Sequence, residues 1–300
     1  MLDPQPERSI ERHAELAVAG IYEREVRSSI EGVWENVFDW EHLPWLHAQA
    51  FRSIELRAAG DWGWHADVGF PQDATAEIEL IVDAENSRYV ARTRSGPGAP
   101  GETWTTLISL AEETTAIRVE FCVTPLPIAD LERLGAALCG LYKGLWDQDE
   151  DMMRVRGSAR ARRSDGPCAP SPSPSPVPTE PLVLGEWDSL RERLPVVVEF
   201  EGHRFRIVER GDGAVAYAAE CPHWLGPLDE CAVEAGVVTC PWHGYRFDVE
   251  SGRSADGRGL RLRPAPRVEI DPESGAVQLV SPVGAKKSPD YETVYGGEGT

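Results

Sequence analysis

Four residues, Cys221, His223, Cys240 and His243, constrain this chain more than any other feature, because two loops that share one metal centre must fold so as to meet at it. They occur as Cys221-Pro222-His223 and Cys240-Pro241-Trp242-His243, with sixteen residues between His223 and Cys240. Two thiolates and two imidazoles suit two kinds of centre. One is a [2Fe–2S] cluster with both cysteines on one iron and both histidines on the other; the neutral imidazoles raise its reduction potential above that of an all-cysteine cluster. The other is a tetrahedral Cys2His2 zinc site, which spacing alone also permits. A proline after each cysteine, and Gly244 after the last histidine, suit tight loops whose backbone N–H groups point at sulfur.

The two strings closely resemble the Rieske motif, and the resemblance implies a [2Fe–2S] cluster held by Cys221, His223, Cys240 and His243. High-potential Rieske proteins carry one more cysteine in each cluster loop, joined as a disulfide. Here Leu225 and Gly226 follow the first ligands and Trp242 lies between the second pair, so the chain is similar to the low-potential oxygenase and ferredoxin branch. Cys231 stands where relatives often have glycine. Cys122, Cys139 and Cys168 show no paired spacing, which fits reduced thiols of a cytosolic protein.

The chain is long enough for two domains, and composition marks the boundary. Alternating proline and serine from Pro167 to Pro178 cannot form a core and favours extended geometry. We therefore expect a first domain over 1–160, a linker over 161–180, a second domain over 181–282 and a disordered tail over 283–300. Past the linker, short apolar runs at 196–200, 204–208, 214–219, 237–239 and 277–280 alternate with glycine turns, as in a small antiparallel all-β domain. A formal charge of −20 argues against nucleic acid and anionic membrane surfaces as partners. The charged first residues lack a signal-peptide core, and no apolar run approaches the ~20 residues of a membrane span, so a cytoplasmic protein is expected.

Before the linker the pattern differs. A strand is predicted over 21–30 and a helix over 31–42. Strands follow over 52–57, 63–68, 76–82, 89–94, 103–110 and 117–123, and a long amphipathic helix over 128–160. Strand, short helices, a run of strands and a closing helix fit an α+β helix-grip fold of the SRPBCC/START-like kind, a curved sheet around its last helix. Trp40, Trp45, Trp62, Trp64, Phe70, Trp104 and Phe121 are candidates for core or for an apolar pocket. His13, His65 and His203 have no partner legible in the sequence.

A second histidine string lies at 35–47: Asp39-x-x-His42-x-x-x-x-His47, with Pro44 between the histidines. On a helix, Asp39 and His42 share a face, and Pro44 bends the chain so that His47 turns back. Two histidines and a distant carboxylate form the facial triad of non-heme Fe(II) oxygenases, with positions left open for O2 and substrate. The carboxylate should come from 147–151. Leu134, Leu138, Leu141, Leu145 and Met152 form an apolar stripe that includes Asp149, whereas Asp147 and Asp151 fall nearly opposite. Asp149 is the expected third ligand and Asp151 the second choice.

The string Glu35-Asn36-x-x-Asp39-x-x-His42 also resembles the mononuclear-iron motif of Rieske oxygenases. The resemblance implies that Asp39 is not a ligand but a bridge, hydrogen-bonded to an iron histidine and a cluster histidine. It implies O2 and a small organic substrate, an oxidoreductase activity of mono- or dioxygenase type, and electrons from a separate ferredoxin or NAD(P)H reductase. This agrees with the absence of a dinucleotide fingerprint. A homo-oligomer is a further expectation, although relatives place the cluster domain first and this chain places it last, so a ring does not carry over. The alternative function is a non-enzymatic Rieske ferredoxin-type carrier fused to a ligand-binding helix-grip domain, with Asp39, His42 and His47 structural.

Overall fold

The computed structural model describes residues 10–165 and 180–281. The chain forms two compact units: Met1–Arg163 together with Pro241–Gly244, and Ser164–Cys240 together with Tyr245–Thr300. In the first unit, β1 (Ala17–Val26) leads to α1 (Ile30–Phe38), a 3-10 turn (Trp40–His42) and a one-turn helix α2 (Leu43–Leu46). Strands β2 (Ser53–Gly60), β3 (Gly63–Gly69), β4 (Thr75–Asp83), β5 (Arg88–Ser95), β6 (Gly101–Ala111) and β7 (Thr114–Val123) follow, and α3 (Ile128–Asp165) closes the unit. The seven strands form one sheet in the order β1-β7-β6-β5-β4-β3-β2, every neighbouring pair antiparallel. Only the β1–β7 pairing is non-sequential, and it returns the first strand to the last. This is a helix-grip domain.

One face of the sheet meets the helices. Val68, Leu80, Tyr89, Val119 and Phe121 pack with Val33 and Val37 of α1 and with Trp146 and Met153 of α3 in the main core, which also holds Trp64. Trp40 and Phe70 pack against it. The Phe121 and Tyr142 rings meet edge to face at 4.7 Å. Near its start α3 lies so close to β1 that a Cβ on Gly135 would stand 1.9 Å from the Ala19 carbonyl oxygen. A smaller cluster of Ile81, Val90, Trp104 and Cys122 is covered by Ile10 and Leu16. Trp104 thus stands apart from the main aromatic core, and Trp45 is exposed.

Several expectations shift. The first strand stops at Val26, and Ser29 caps the helix, its hydroxyl accepting from Gly32 N–H at 3.2 Å. That helix ends at Phe38, so Asp39 is its C-cap and not a residue of its interior. The inward line of α3 runs through the buried Gly135, Trp146, Asp149 and Met153, with half-buried Tyr142 on the same side. Leu141 is 46% exposed, because large aromatics rather than leucines fill the space above the sheet. The helix runs on to Asp165, five residues beyond 160. The Pro/Ser run, Cys168 and the polar tail lie outside the described residues.

The second unit is built from short antiparallel strands. Strands β9 (Val196–Phe200), β10 (His203–Arg210) and β11 (Gly213–Ala218) form one sheet, with β10 central. Strands β12 (Val233–Glu234), β13 (Val237–Thr239) and β14 (Arg246–Asp248) form a second; β15 (Arg267–Ile270) and β16 (Ala276–Val280) pair with β8 (Leu182–Glu186) in a third. One short helix, α4 (Trp187–Arg191), follows β8. Phe205, Ile207, Tyr217, Leu228, Val238, Phe247 and Leu279 are among its large buried side chains. Among the described residues no helix is long and apolar enough to cross a membrane.

Candidate metal centres

The first centre is assembled by three short elements. The 3-10 turn ends on His42, and α2 begins at once, with Pro44 at its start where a missing N–H costs nothing. His47 caps α2. Asp149 comes from the buried line of α3, more than a hundred residues later. One ligand atom from each of His42, His47 and Asp149 lies within 4.8 Å of the others. His47 Nε2 is 3.0 Å and His42 Nε2 3.5 Å from Asp149 Oδ1, and the imidazoles stand edge to face with centroids 5.1 Å apart. All three residues are buried.

The surroundings orient each ring. Gln148 Oε1 lies 2.8 Å from His47 Nδ1, which places the ring hydrogen there and leaves the Nε2 lone pair facing Asp149. Phe51 packs on the same ring at 6.2 Å. Burial pushes the His47 imidazolium down, but the Asp149 carboxylate and Gln148 outweigh it and hold its pKa above the usual value. A carboxylate oxygen and two ring nitrogens sharing one buried point need a cation or a proton between them. This donor set fits a divalent metal ion and matches the two-histidine, one-carboxylate facial triad.

Asp39 is close by. Its Oδ2 is 3.4 Å from His42 Nδ1, and within the same unit it accepts a hydrogen bond from His243 Nε2 at 2.7 Å. Burial works against this carboxylate, but His243 and His42 outweigh it and hold its pKa well below the usual range. Nε2 of His243 is thereby occupied, which leaves its Nδ1 as the ligand nitrogen. Asp151, the second choice for the third ligand, is 71% exposed and pairs with Arg154 at 3.3 Å; it takes no part in the cluster of ligand atoms. Glu35 pairs instead with Arg156 and Arg160 of α3, at 2.5 and 3.1 Å, tying α1 to the end of that helix. The carbonyl of Asn36 accepts from Asp39 N–H at 3.2 Å and so seats the cap. His65 does have a partner, Glu77 at 2.8 Å. Gln148 and Phe51 carry no sequence signal; only adjacency to Asp149 and to His47 could have pointed to them.

The second centre lies on two loops. Cys221 N–H donates to Gly226 C=O at 2.8 Å and Leu225 N–H to Cys221 C=O at 3.0 Å, a tight turn with Leu225 at φ +64°. Cys240 N–H donates to Tyr245 C=O at 2.8 Å, closing the loop that carries His243, and Gly244 supplies φ +67°. Burial and a hydrogen bond from Cys240 push the Cys221 thiol well above its usual pKa. Two thiols this deeply buried ionise only against a compensating positive charge, which iron supplies. The His223 ring stacks on Tyr245 at 4.3 Å, and the Arg258 guanidinium covers the Tyr245 ring at 4.0 Å. Among the described residues no disulfide forms, and Cys231, Cys122 and Cys139 are free thiols.

Comparison with known proteins assigns this second centre. The Rieske [2Fe–2S] domain family matches residues 180–264. Apoptosis-inducing factor 3 of Mus musculus is 28% identical over 133 residues, 41% of this chain and 22% of that protein. The Homo sapiens protein of the same name is 29% identical over 128 residues, covering 39% and 21%. The chain thus spans about a fifth of the length of these curated relatives. Among solved structures, a START superfamily protein from Mycobacterium smegmatis is 21% identical and covers 44% of this chain and 97% of its own, with a TM-score of 0.38. The ferredoxin of carbazole 1,9a-dioxygenase from Nocardioides aromaticivorans is 27% identical, covering 34% and 98%, with a TM-score of 0.30. Residues 180–264 are a Rieske [2Fe–2S] domain, an iron–sulfur electron-transfer module, and in this chain it follows a helix-grip domain rather than preceding one.

Proposed function

We propose that this protein is the terminal component of a Rieske-type non-heme iron oxygenase, acting on a small organic substrate of apolar or aromatic character. The observation that carries the reading is the buried convergence of His42, His47 and Asp149 in a chain that also contains a Rieske domain. His42 and His47, each through Nε2, and Asp149 through a carboxylate oxygen would hold one Fe(II). Bound there, the metal supplies O2 activation at the coordination positions that three protein ligands leave open. The rest is the work of the chain. Gln148 keeps the His47 hydrogen on Nδ1, Asp39 orients His42 and accepts the Nε2 hydrogen of His243, and burial excludes water from the three ligands. Asp39 is the proposed link for electrons passing from cluster to iron. Electrons enter from a separate ferredoxin or NAD(P)H reductase of the cytoplasm.

The carrier reading, a Rieske ferredoxin joined to a ligand-binding domain, is supported by the fact that the family match covers only the electron-transfer region. Metal analysis separates the two. Iron near about three atoms per chain supports the oxygenase, and near about two supports the carrier, because a [2Fe–2S] cluster accounts for two. His42→Ala should remove the third iron without altering the cluster spectrum. Loss of no iron in that variant would reject the triad as a metal site.

A further inference from the structure

Arg206 sits at the centre of β10, opposite Tyr217 of β11, and is buried. A buried guanidinium ordinarily faces a carboxylate, since an uncompensated charge is costly away from water. Here every hydrogen-bond acceptor it meets is neutral. Nη1 donates to the Tyr217 hydroxyl at 3.2 Å, to Leu228 C=O at 3.2 Å and to Cys231 C=O. Its Nε is buried and has no hydrogen-bond partner. Asp229 is paired with Arg204 at 2.6 Å and Glu209 with Arg191 at 2.6 Å; among the described residues no carboxylate forms an ion pair with Arg206 itself.

The acceptors locate this charge. Leu228 is the residue at which the first cluster loop rejoins the sheet, its N–H donating to Ala219 C=O at 2.8 Å. Three residues later, Cys231 hangs its thiol on Pro227 C=O at 3.3 Å. Through Leu228 the guanidinium is hydrogen-bonded to the end of the loop that carries Cys221 and His223, which puts its charge within electrostatic reach of that loop.

We propose that Arg206 is a positioning residue that sets the reduction potential of the [2Fe–2S] cluster, its buried positive charge favouring the reduced state. The step concerned is the gain of one electron from an external reductant, which adds one negative charge to the cluster. A fixed cation nearby stabilises that charge, and the low-dielectric surroundings preserve the interaction. The inference needs only the cluster and stands whether or not the first unit is an oxygenase.

Redox titration of the full cluster-loaded chain by dithionite, followed by electron paramagnetic resonance, tests it. Arg206→Gln removes the charge and keeps a hydrogen-bonding amide; it should weaken reduction on the order of tenfold, about 59 mV for one electron. Arg206→Lys should recover most of the native value, and Tyr217→Phe, which removes a partner but no charge, should stay native. If Arg206→Gln fails to load the cluster, Arg206→His carries the same comparison: its potential should fall below native as the imidazole loses its proton. Equal potentials for Arg206→Gln and Arg206→Lys would overturn the proposal, since both then report loop geometry rather than charge. So would a shift in Tyr217→Phe as large as that of the charge variants, or no shift in any.

Discussion

The two histidine-bearing centres are built in opposite ways. The cluster loops are local: each ligand pair sits within three or four residues, and each loop is closed by its own backbone hydrogen bonds and a residue of positive φ. The candidate triad is distributed. His42 and His47 come from a turn and a one-turn helix, and Asp149 from a long helix docked across the sheet. A local site is fixed by turn chemistry. A distributed one is fixed by the packing of whole elements, so its precision depends on the core beneath it.

Perturbations should separate the two in a graded series. The largest effect belongs to the local centre: His223→Ala should abolish the rhombic Rieske signal and the visible colour, and a chain that keeps both would reject the ligand assignment. Next come the triad residues. His47→Ala or Asp149→Ala should empty the mononuclear site while the cluster spectrum stays native, whereas Asp151→Ala should retain the third iron. If metal analysis finds Asp149→Ala and Asp151→Ala equivalent, the triad geometry is wrong. Asp39→Asn should leave both metals bound and the cluster reducible, yet cut single-turnover product formation severely; unchanged product yield would place the electron path elsewhere. The smallest effect is that of Gln148→Leu, which frees the His47 tautomer and should weaken mononuclear-metal affinity by about tenfold to a hundredfold. Native affinity in a metal-competition titration would reduce Gln148 to a bystander.

The legibility of each centre follows the same contrast. Cys221, His223, Cys240 and His243 are readable because a local loop writes its ligands at short, regular spacing. His42 and His47 stand out as candidates for the same reason, with Asp39 beside them, and the structure brings both histidines to Asp149. Helical phase points to Asp149, which is buried beside both histidines, although the leucine stripe differs from the face that is buried. Leu141 is exposed, and Trp146 and Met153, with half-buried Tyr142, carry the inward line. The phase survived because Asp149 is three residues from Trp146 and four from Met153. Gln148 could not be found this way, since its partner depends on how closely α3 approaches α2, a tertiary distance with no periodic signature. The end of α1 was missed for a different reason. Nothing in Phe38-Asp39-Trp40 breaks a helix outright, and Asp39 takes the C-cap with its N–H bonded to Asn36 C=O.

The chain distance across the triad has a mechanical consequence. His47 and Asp149 are 102 residues apart, and between them lie six strands and the start of α3. A metal ion held by these side chains would bind only after that long loop has closed, so its binding free energy would add to the stability of the folded domain. Metal occupancy should therefore be written into the thermal unfolding of the helix-grip domain, which would melt as a tighter and more cooperative unit when loaded. A substitution that loosens α3 far from the ligands would then lower metal affinity without touching a ligand.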